Sequence, residues 1–259
     1  MFGIRRRGGY RDEKLKILRA FLVLSIVLLS TGAFAYGEKT TEKMVDSAVW
    51  LAPPSLKGLL TAFRKDTLSG VRETLDTQSG KQDVDLCLAL EEEMALLPKL
   101  ASKQSSFEQI AFHFGKVAAL VFLLDDPFRN NEDSRVKEIS SDYKEYMERK
   151  VAKHILTFEG YASPAFEIPV SGYFEKRKAA FPRYVESVLF CYFPSGERVS
   201  SKTFDDRSNA FGVSQIVLSK SVSDAAKVWL HVWKSMDGDV SGTPFLKDKD
   251  KGKEKGKEK

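Results

Sequence analysis

An all-α, multi-helix bundle is the fold this chain predicts, and three observations predict it. Apolar residues recur at three- and four-residue spacing through most of the segment 36–246. No strand-type alternation lasts long enough to support a sheet. The helical stretches are separated by Pro- and Gly-containing punctuation such as Pro53-Pro54, Asp125-Asp126-Pro127 and Pro194-Ser195-Gly196.

Each element follows from local pattern. Thr40 and Thr41 can cap a helix that runs to Leu51 with Met44, Val45, Ala48 and Leu51 on one face. Pro53-Pro54 stops it, and Pro54 sits near the start of a second helix, Ser55–Lys65. Asp76 to Lys81 reads as a polar connector. Asp83 or Asp85 opens a helix carrying Leu86, Leu90, Met94 and Leu97, with Pro98 as its expected end. Ser105 and Ser106 precede Phe107–Leu124, which is apolar on nearly every side from Ile110 onward. Such a helix belongs in the middle of a bundle.

Ser134–Phe158 reads as a long amphipathic helix with Val136, Ile139, Tyr143, Tyr146, Val151, Ile155 and Phe158 inward. Gly160 to Pro169 reads as a loop. Ser171–Tyr192 is a helix in which Pro182 marks a kink or the start of a shorter one. The last helix is Ser208–Met236, with Trp229 and Trp233 four apart and therefore on one face. No internal repeat is evident.

Composition divides the chain into three parts. Its 259 residues are 42% hydrophobic and 30% charged, which suits one globular domain. Residues 1–35 hold seven Lys+Arg against two acids, followed by the apolar run Ala20 to Leu29 and the small-x-small site Ala33-Phe34-Ala35. That order reads as a secretory signal, cleaved after Ala35, and places the mature protein outside the cytoplasm, secreted or periplasmic. Left uncleaved, the run would act as an N-terminal membrane anchor. Residues 36–246 form the helical domain, and 247–259 a Lys-rich tail of disordered composition. The net charge of +5 comes from the two ends, because the body 36–246 is left at −3. A folded body with that balance does not advertise nucleic-acid binding, and no nucleic-acid partner is expected.

One stretch carries the functional reading: Gly115-Lys-Val-Ala-Ala-Leu-Val-Phe-Leu-Leu-Asp-Asp-Pro-Phe-Arg129. It resembles the motif G-x3-H-x3-D-x3-P-x-H of zinc-dependent phospholipase C and the single-strand-specific zinc nucleases. Gly115 and Pro127 keep the spacing, while Ala119, Leu123 and Arg129 stand where that family has His, Asp and His. Two more patches are similar to the same family. Tyr36-Gly37-Glu38-Lys39-Thr40-Thr41 resembles its mature N-terminus W-G-x-x-T-H, with Tyr36 in place of the zinc-binding Trp and Thr41 in place of the His. Ser140-Ser141-Asp142-Tyr143-Lys144-Glu145-Tyr146 resembles H-x-x-Y-E-x-F, with Ser140 and Lys144 at the His and Glu positions.

The resemblance implies an all-helical zinc-hydrolase frame whose metal site has been lost at Tyr36, Thr41, Ala119, Leu123, Arg129, Ser140 and Lys144. Ala and Leu cannot ligate a metal, and Arg carries a permanent positive charge. The reading that follows is a secreted or periplasmic, non-catalytic binding or structural module of the cell envelope. It has no cofactor, and its old pocket would be biased by Arg129 and Lys144 toward an anionic lipid headgroup or envelope polymer. The alternative is a divergent phosphodiesterase or phospholipase that keeps zinc at a reduced or relocated site.

Other candidate residues read as structural. His113, His154 and His231 fall on three different expected helices, with His154 in a basic, solvated segment. Asp125-Asp126 and Asp205-Asp206 sit at helix boundaries, where Asp caps or turns. Asp237-Gly238-Asp239 reads as a helix-ending turn and Glu91-Glu92-Glu93 as a solvated face. Cys87 and Cys191 read as two separate thiols rather than a disulfide.

Overall fold

A computed structural model describes residues 36–161 and 169–246, so the expected signal segment, part of the loop after Gly160 and the Lys-rich tail lie outside the described residues. The described chain is all helical, with no strand: α1 (Glu38–Leu51), α2 (Pro54–Ala62), α3 (Arg64–Gln78), α4 (Asp83–Ser102), α5 (Phe107–Leu124), α6 (Ser134–Lys150), α7 (Ser171–Lys178), α8 (Phe181–Tyr192) and α9 (Asn209–Ser235).

α5 is the axis of the bundle. Ser106 caps it by accepting the Gln109 amide at 3.3 Å. From Val117 to Leu124 every residue is buried. α5 is long and apolar enough to cross a membrane, but α3, α4 and α9 pack around it. α9 is fastened to it by the indole of the fully buried Trp229, which donates to the Phe114 carbonyl at 2.9 Å. α1 and α8 both pack on α9, and Met44, Ala48 and Leu51 are among the buried residues of α1.

The tightest approach is between α3 and α5, and two glycines make it possible. A Cβ on Gly115 would fall well inside 3.0 Å of the Thr67 carbonyl oxygen, and one on Gly70 equally close to the Phe112 carbonyl oxygen. The two contacts are reciprocal, so each helix presents a glycine to a peptide group of the other. No larger residue allows this separation, because the obstacle is backbone and cannot rotate away.

Several expectations are corrected by what the chain does around this crossing. Pro98 does not end its helix: α4 passes through it and continues to Ser102. The expected second helix is two elements, broken at Phe63 (φ −109°, ψ 37°), and α3 runs on through the expected connector at Asp76 to Gln78. The break re-aims the chain so that Gly70 can meet α5. Ser134–Phe158 is helical only to Lys150, followed by a 3-10 turn, Val151–Lys153, and then extended chain. Ile155 therefore points outward, 76% exposed. Ser171–Tyr192 is two helices with Pro182 in the first turn of the second, where a missing N–H costs nothing.

The reading of His154 is also corrected. It is 2% exposed, not solvated. Its ring stacks on Phe211 at 4.6 Å, and Nε2 lies 2.6 Å from Ser214 Oγ. Burial lowers its pKa to about 4, which holds the ring neutral near pH 7. Glu93 departs from a solvated face as well. It pairs with His113 Nδ1 at 2.6 Å and Lys116 at 2.8 Å, its side chain 12% exposed. Cys87 and Cys191 are free thiols.

The glycine contact gives a direct expectation. Gly115→Ala must separate α3 from α5 and lowers stability by about 3 kcal/mol, at the upper end of what overpacking costs. Gly58→Ala at an exposed position of α2, where an added Cβ meets nothing within 4 Å, raises stability by about 0.5 kcal/mol. Urea melts of the two variants measure the difference; similar effects would contradict the crossing.

Candidate functional site

The three resembling patches reach the same end of the bundle. Tyr36 and Gly37 lead into α1, the motif segment forms α5 and its following turn, and Ser140–Tyr146 lies in α6. Glu148 of α6 accepts the Thr40 amide at 3.5 Å, so a side chain of α6 serves the open N-terminus of α1.

A cavity of about 260 Å³ opens here, lined by Tyr36, Thr41, Leu68, Val71, Arg72 and Lys144 together with Glu38, Glu42 and Asp76. The structure thus brings Tyr36, Thr41 and Lys144 around one space. Ala119 and Leu123, 0% and 2% exposed, belong to the same apolar core as Tyr36 but do not line the cavity. Ser140 donates to the Lys137 carbonyl of its own helix at 3.0 Å.

Arg129 is committed elsewhere. Its side chain is only 5% exposed and forms an ion pair with Asp83. Nε donates to Leu123 O at 2.8 Å and Nη1 to Lys81 O at 2.6 Å. The guanidinium ties the end of α5 to the α3–α4 connection and the first turn of α4. Burial lowers its pKa to about 10, still well above neutrality, so the charge persists. The cavity rim sets three carboxylates against Arg72 and Lys144, and Arg72 already pairs with Glu38 at 2.8 Å and Glu42 at 3.2 Å. The expected bias toward an anionic ligand therefore has no geometric basis at this cavity.

Behind Tyr36 lies a buried acidic group: Asp125 and Asp126 stand in the expected turn after α5, Asp126 Oδ1 accepting the Phe128 amide at 2.8 Å, and Asp224 of α9 lies near Asp125. Asp125 and Asp126 are 4% and 5% exposed at the end of α5, and Asp224 is fully buried in the middle of α9. Asp224 accepts Tyr173 Oη at 2.6 Å, Arg177 Nε at 2.7 Å and Lys227 Nζ at 3.0 Å. Arg177 and Lys220 both reach Glu159, at 3.1 and 2.8 Å. The network closes the extended segment after α6 onto α7 and α9. A signal for it was present: Asp224 is an acid on the apolar face of α9, with Lys220 four residues before it and Lys227 three after.

Asp125 has no such satisfaction, since its Oδ2 makes no hydrogen bond among the described residues. Burial, then the neighbouring Asp224 charge, pushes its carboxyl well above the usual carboxylate range, against the pull of Arg177, Lys227 and Lys220. Burial, then Asp126, likewise keeps the Tyr36 phenol protonated. Chemically the group offers a buried acid and a buried phenol; Tyr36 lines the cavity and Asp125 does not.

Zinc fits this arrangement poorly. The three motif positions carry no donor on Ala119 or Leu123 and a committed cation at Arg129. No three His, Cys, Asp or Glu side chains among the described residues are grouped to hold a metal. Asp224 is already occupied by two cations and a phenol. The class that fold and site define is an all-α bundle with a small cavity beside a buried acidic network. The chain matches no protein-family model, no curated protein and no solved structure.

The raised Asp125 carboxyl fixes the sign of a pH effect. The unfolded chain releases this proton near 3.8, and the folded chain only at higher pH, so stability is lost as pH rises through that interval. Asp125→Asn removes the loss. Relative to the parent, the variant gains stability as pH is raised from below 3.8 toward neutrality, measured by urea melts across that range. A pH-independent difference would show that Asp125 ionises normally.

Proposed function

We propose that this chain is a non-catalytic binding or structural module of the cell envelope, built on a zinc-dependent phospholipase C-like frame that has lost its metal site. The observation that carries the reading is the state of Ala119 and Leu123. Both are buried in the apolar core of the bundle, at the positions where the resemblance expects metal ligands. Arg129 supports it, because its guanidinium is spent on two carbonyls and Asp83 and serves as a strut.

Export rests on the sequence of residues 1–35, with the mature chain beginning at Tyr36. What remains for binding is the cavity of Tyr36, Thr41 and Lys144, whose rim of three carboxylates and two cations suits a ligand carrying both signs of charge better than a simple anion.

The test is metal content and hydrolysis on the exported chain. After incubation with zinc and removal of free metal, mass spectrometry of the metal should find less than stoichiometric zinc. Phosphodiester and phosphatidylcholine substrates should be hydrolysed no faster than in buffer. Stoichiometric zinc, with a hydrolytic activity that a chelator removes, would overturn the reading in favour of a working phosphodiesterase.

A further inference from the structure

The extended chain after the 3-10 turn lies along α9, and its backbone is satisfied on one side only. The Ile155, Thr157 and Glu159 amides donate to Gln215 Oε1 at 3.3 Å, Ser219 Oγ at 3.0 Å and Ser223 Oγ at 3.1 Å. The donors step by two residues and the acceptors by four. These spacings match, because two extended residues rise about 6.7 Å and four helical residues about 6.0 Å. The side chains alternate in the same register: Ile155, Thr157 and Glu159 are exposed, while Leu156 and Phe158 are half-buried.

Successive peptide groups of extended chain point to opposite sides. The even-numbered groups therefore face away from α9, toward α1. The His154 carbonyl marks that direction, since it accepts Lys43 Nζ of α1 at 2.7 Å, as Val151 O does. Farther along, Tyr161 Oη ties the chain to α1 again by donating to Leu51 O at 2.5 Å. Between the two ties, the main-chain groups of Leu156 and Phe158 have no hydrogen-bond partner among the described residues. A cleft of about 270 Å³ opens beside them, walled by Ser47, Trp50 and Leu51 of α1 and by Phe245.

The unpaired main chain selects the occupant. Only another extended polypeptide repeats amides and carbonyls at the spacing of Leu156 and Phe158; a lipid tail has none, and a helix spends its own internally. Charge gives the sign of that peptide. Lys39 stands on the same face of α1 as Lys43, Ser47 and Trp50, and the Lys57 ammonium lies 6.0 Å from the Trp50 ring. Neither Lys39 nor Lys57 pairs with a carboxylate among the described residues. The acids of this face, Glu42 and Asp46, are held by Arg64 at 3.3 and 2.9 Å. Positive charge is thus left for an acidic partner.

We propose that the segment His154–Glu159 is a docking edge for an extended, acidic peptide of another protein, which pairs its main chain with Leu156 and Phe158 and sets an apolar side chain in the cleft. The site is separate from the Tyr36 cavity, so neither zinc content nor a ligand in that cavity bears on it.

The experiment uses the full chain and a library of acetylated, amidated pentapeptides, with Asp or Glu at both ends and Val, Leu, Phe or Trp at the inner positions. Binding is read by fluorescence anisotropy and amide hydrogen exchange by NMR. In the chain alone, the Leu156 and Phe158 amides should exchange faster than those of Thr157 and Glu159. The best-binding peptide should slow Leu156 and Phe158 by about tenfold or more at saturation. N-methylation of its amides along one edge should weaken binding by about tenfold, and along the other edge should leave it unchanged. Lys39→Glu combined with Lys57→Glu should weaken it several-fold at low salt.

Failure of every library member to bind at millimolar concentration would overturn the proposal. Equal binding by both N-methylated forms would do so too, because apolar contact alone would then account for the affinity. Slowing of the same two amides by phosphatidylglycerol vesicles without peptide would make lipid the occupant. Slowing that follows protein concentration alone would make a second copy of this chain the occupant, and either result overturns the peptide assignment.

Discussion

Two glycines facing two carbonyl oxygens set the geometry on which the other contacts in this bundle depend. Gly70 and Gly115 let α3 and α5 approach until backbone meets backbone, with Thr67 and Phe112 supplying the opposing peptide groups. Because α5 is buried on almost every side, its position fixes the others. Trp229 bonds α9 to the Phe114 carbonyl, one residue before Gly115. Arg129 fastens the far end of α5 to the α3–α4 connection.

The interior so formed is not uniformly apolar. Asp125 lies close enough to Asp224 for their charges to oppose each other, and the cations beside them come from α7 and α9. Asp224 is satisfied and Asp125 is not, which divides the pair into a structural ion pair and a carboxyl that keeps its proton. The phenols of Tyr36, Tyr143 and Tyr173 stand around these acids and stay protonated for the same reason, burial first. This polar interior lies behind the cavity that Tyr36, Thr41 and Lys144 line. It gives that end of the protein its chemical character without offering a metal a ligand set.

Much of the fold was legible in the chain because helix periodicity and buried aliphatic faces are local signals. Phe107–Leu124 was readable as the central helix from its apolar run and Ser106 cap alone. The misreadings share a cause: local breakers were overridden by packing. Pro98 sits inside α4 because the surrounding helix is held by Leu90, Met94 and Leu97 in the core. Phe63 breaks a stretch with no sequence breaker because the chain must turn to bring Gly70 to α5.

The candidate site was legible in part. Tyr36, Thr41 and Lys144 share the cavity, but nothing local distinguishes an Arg129 that binds a ligand from one that ties loops together. Asp224 and Arg177 lie 47 residues apart and meet only in three dimensions. His154 looked solvated because its sequence neighbours are lysines, yet those side chains turn to Asp206 while the ring turns in to Phe211.

The central claim is that Gly70 and Gly115 act as one contact, and a double-mutant cycle reads it directly. Gly70→Ala and Gly115→Ala are measured singly and together by urea unfolding. One separation of α3 from α5 relieves both clashes, so the combined loss should fall well short of the sum of the two single losses. Strict additivity would mean that the glycines act separately and that the close crossing does not organise the bundle.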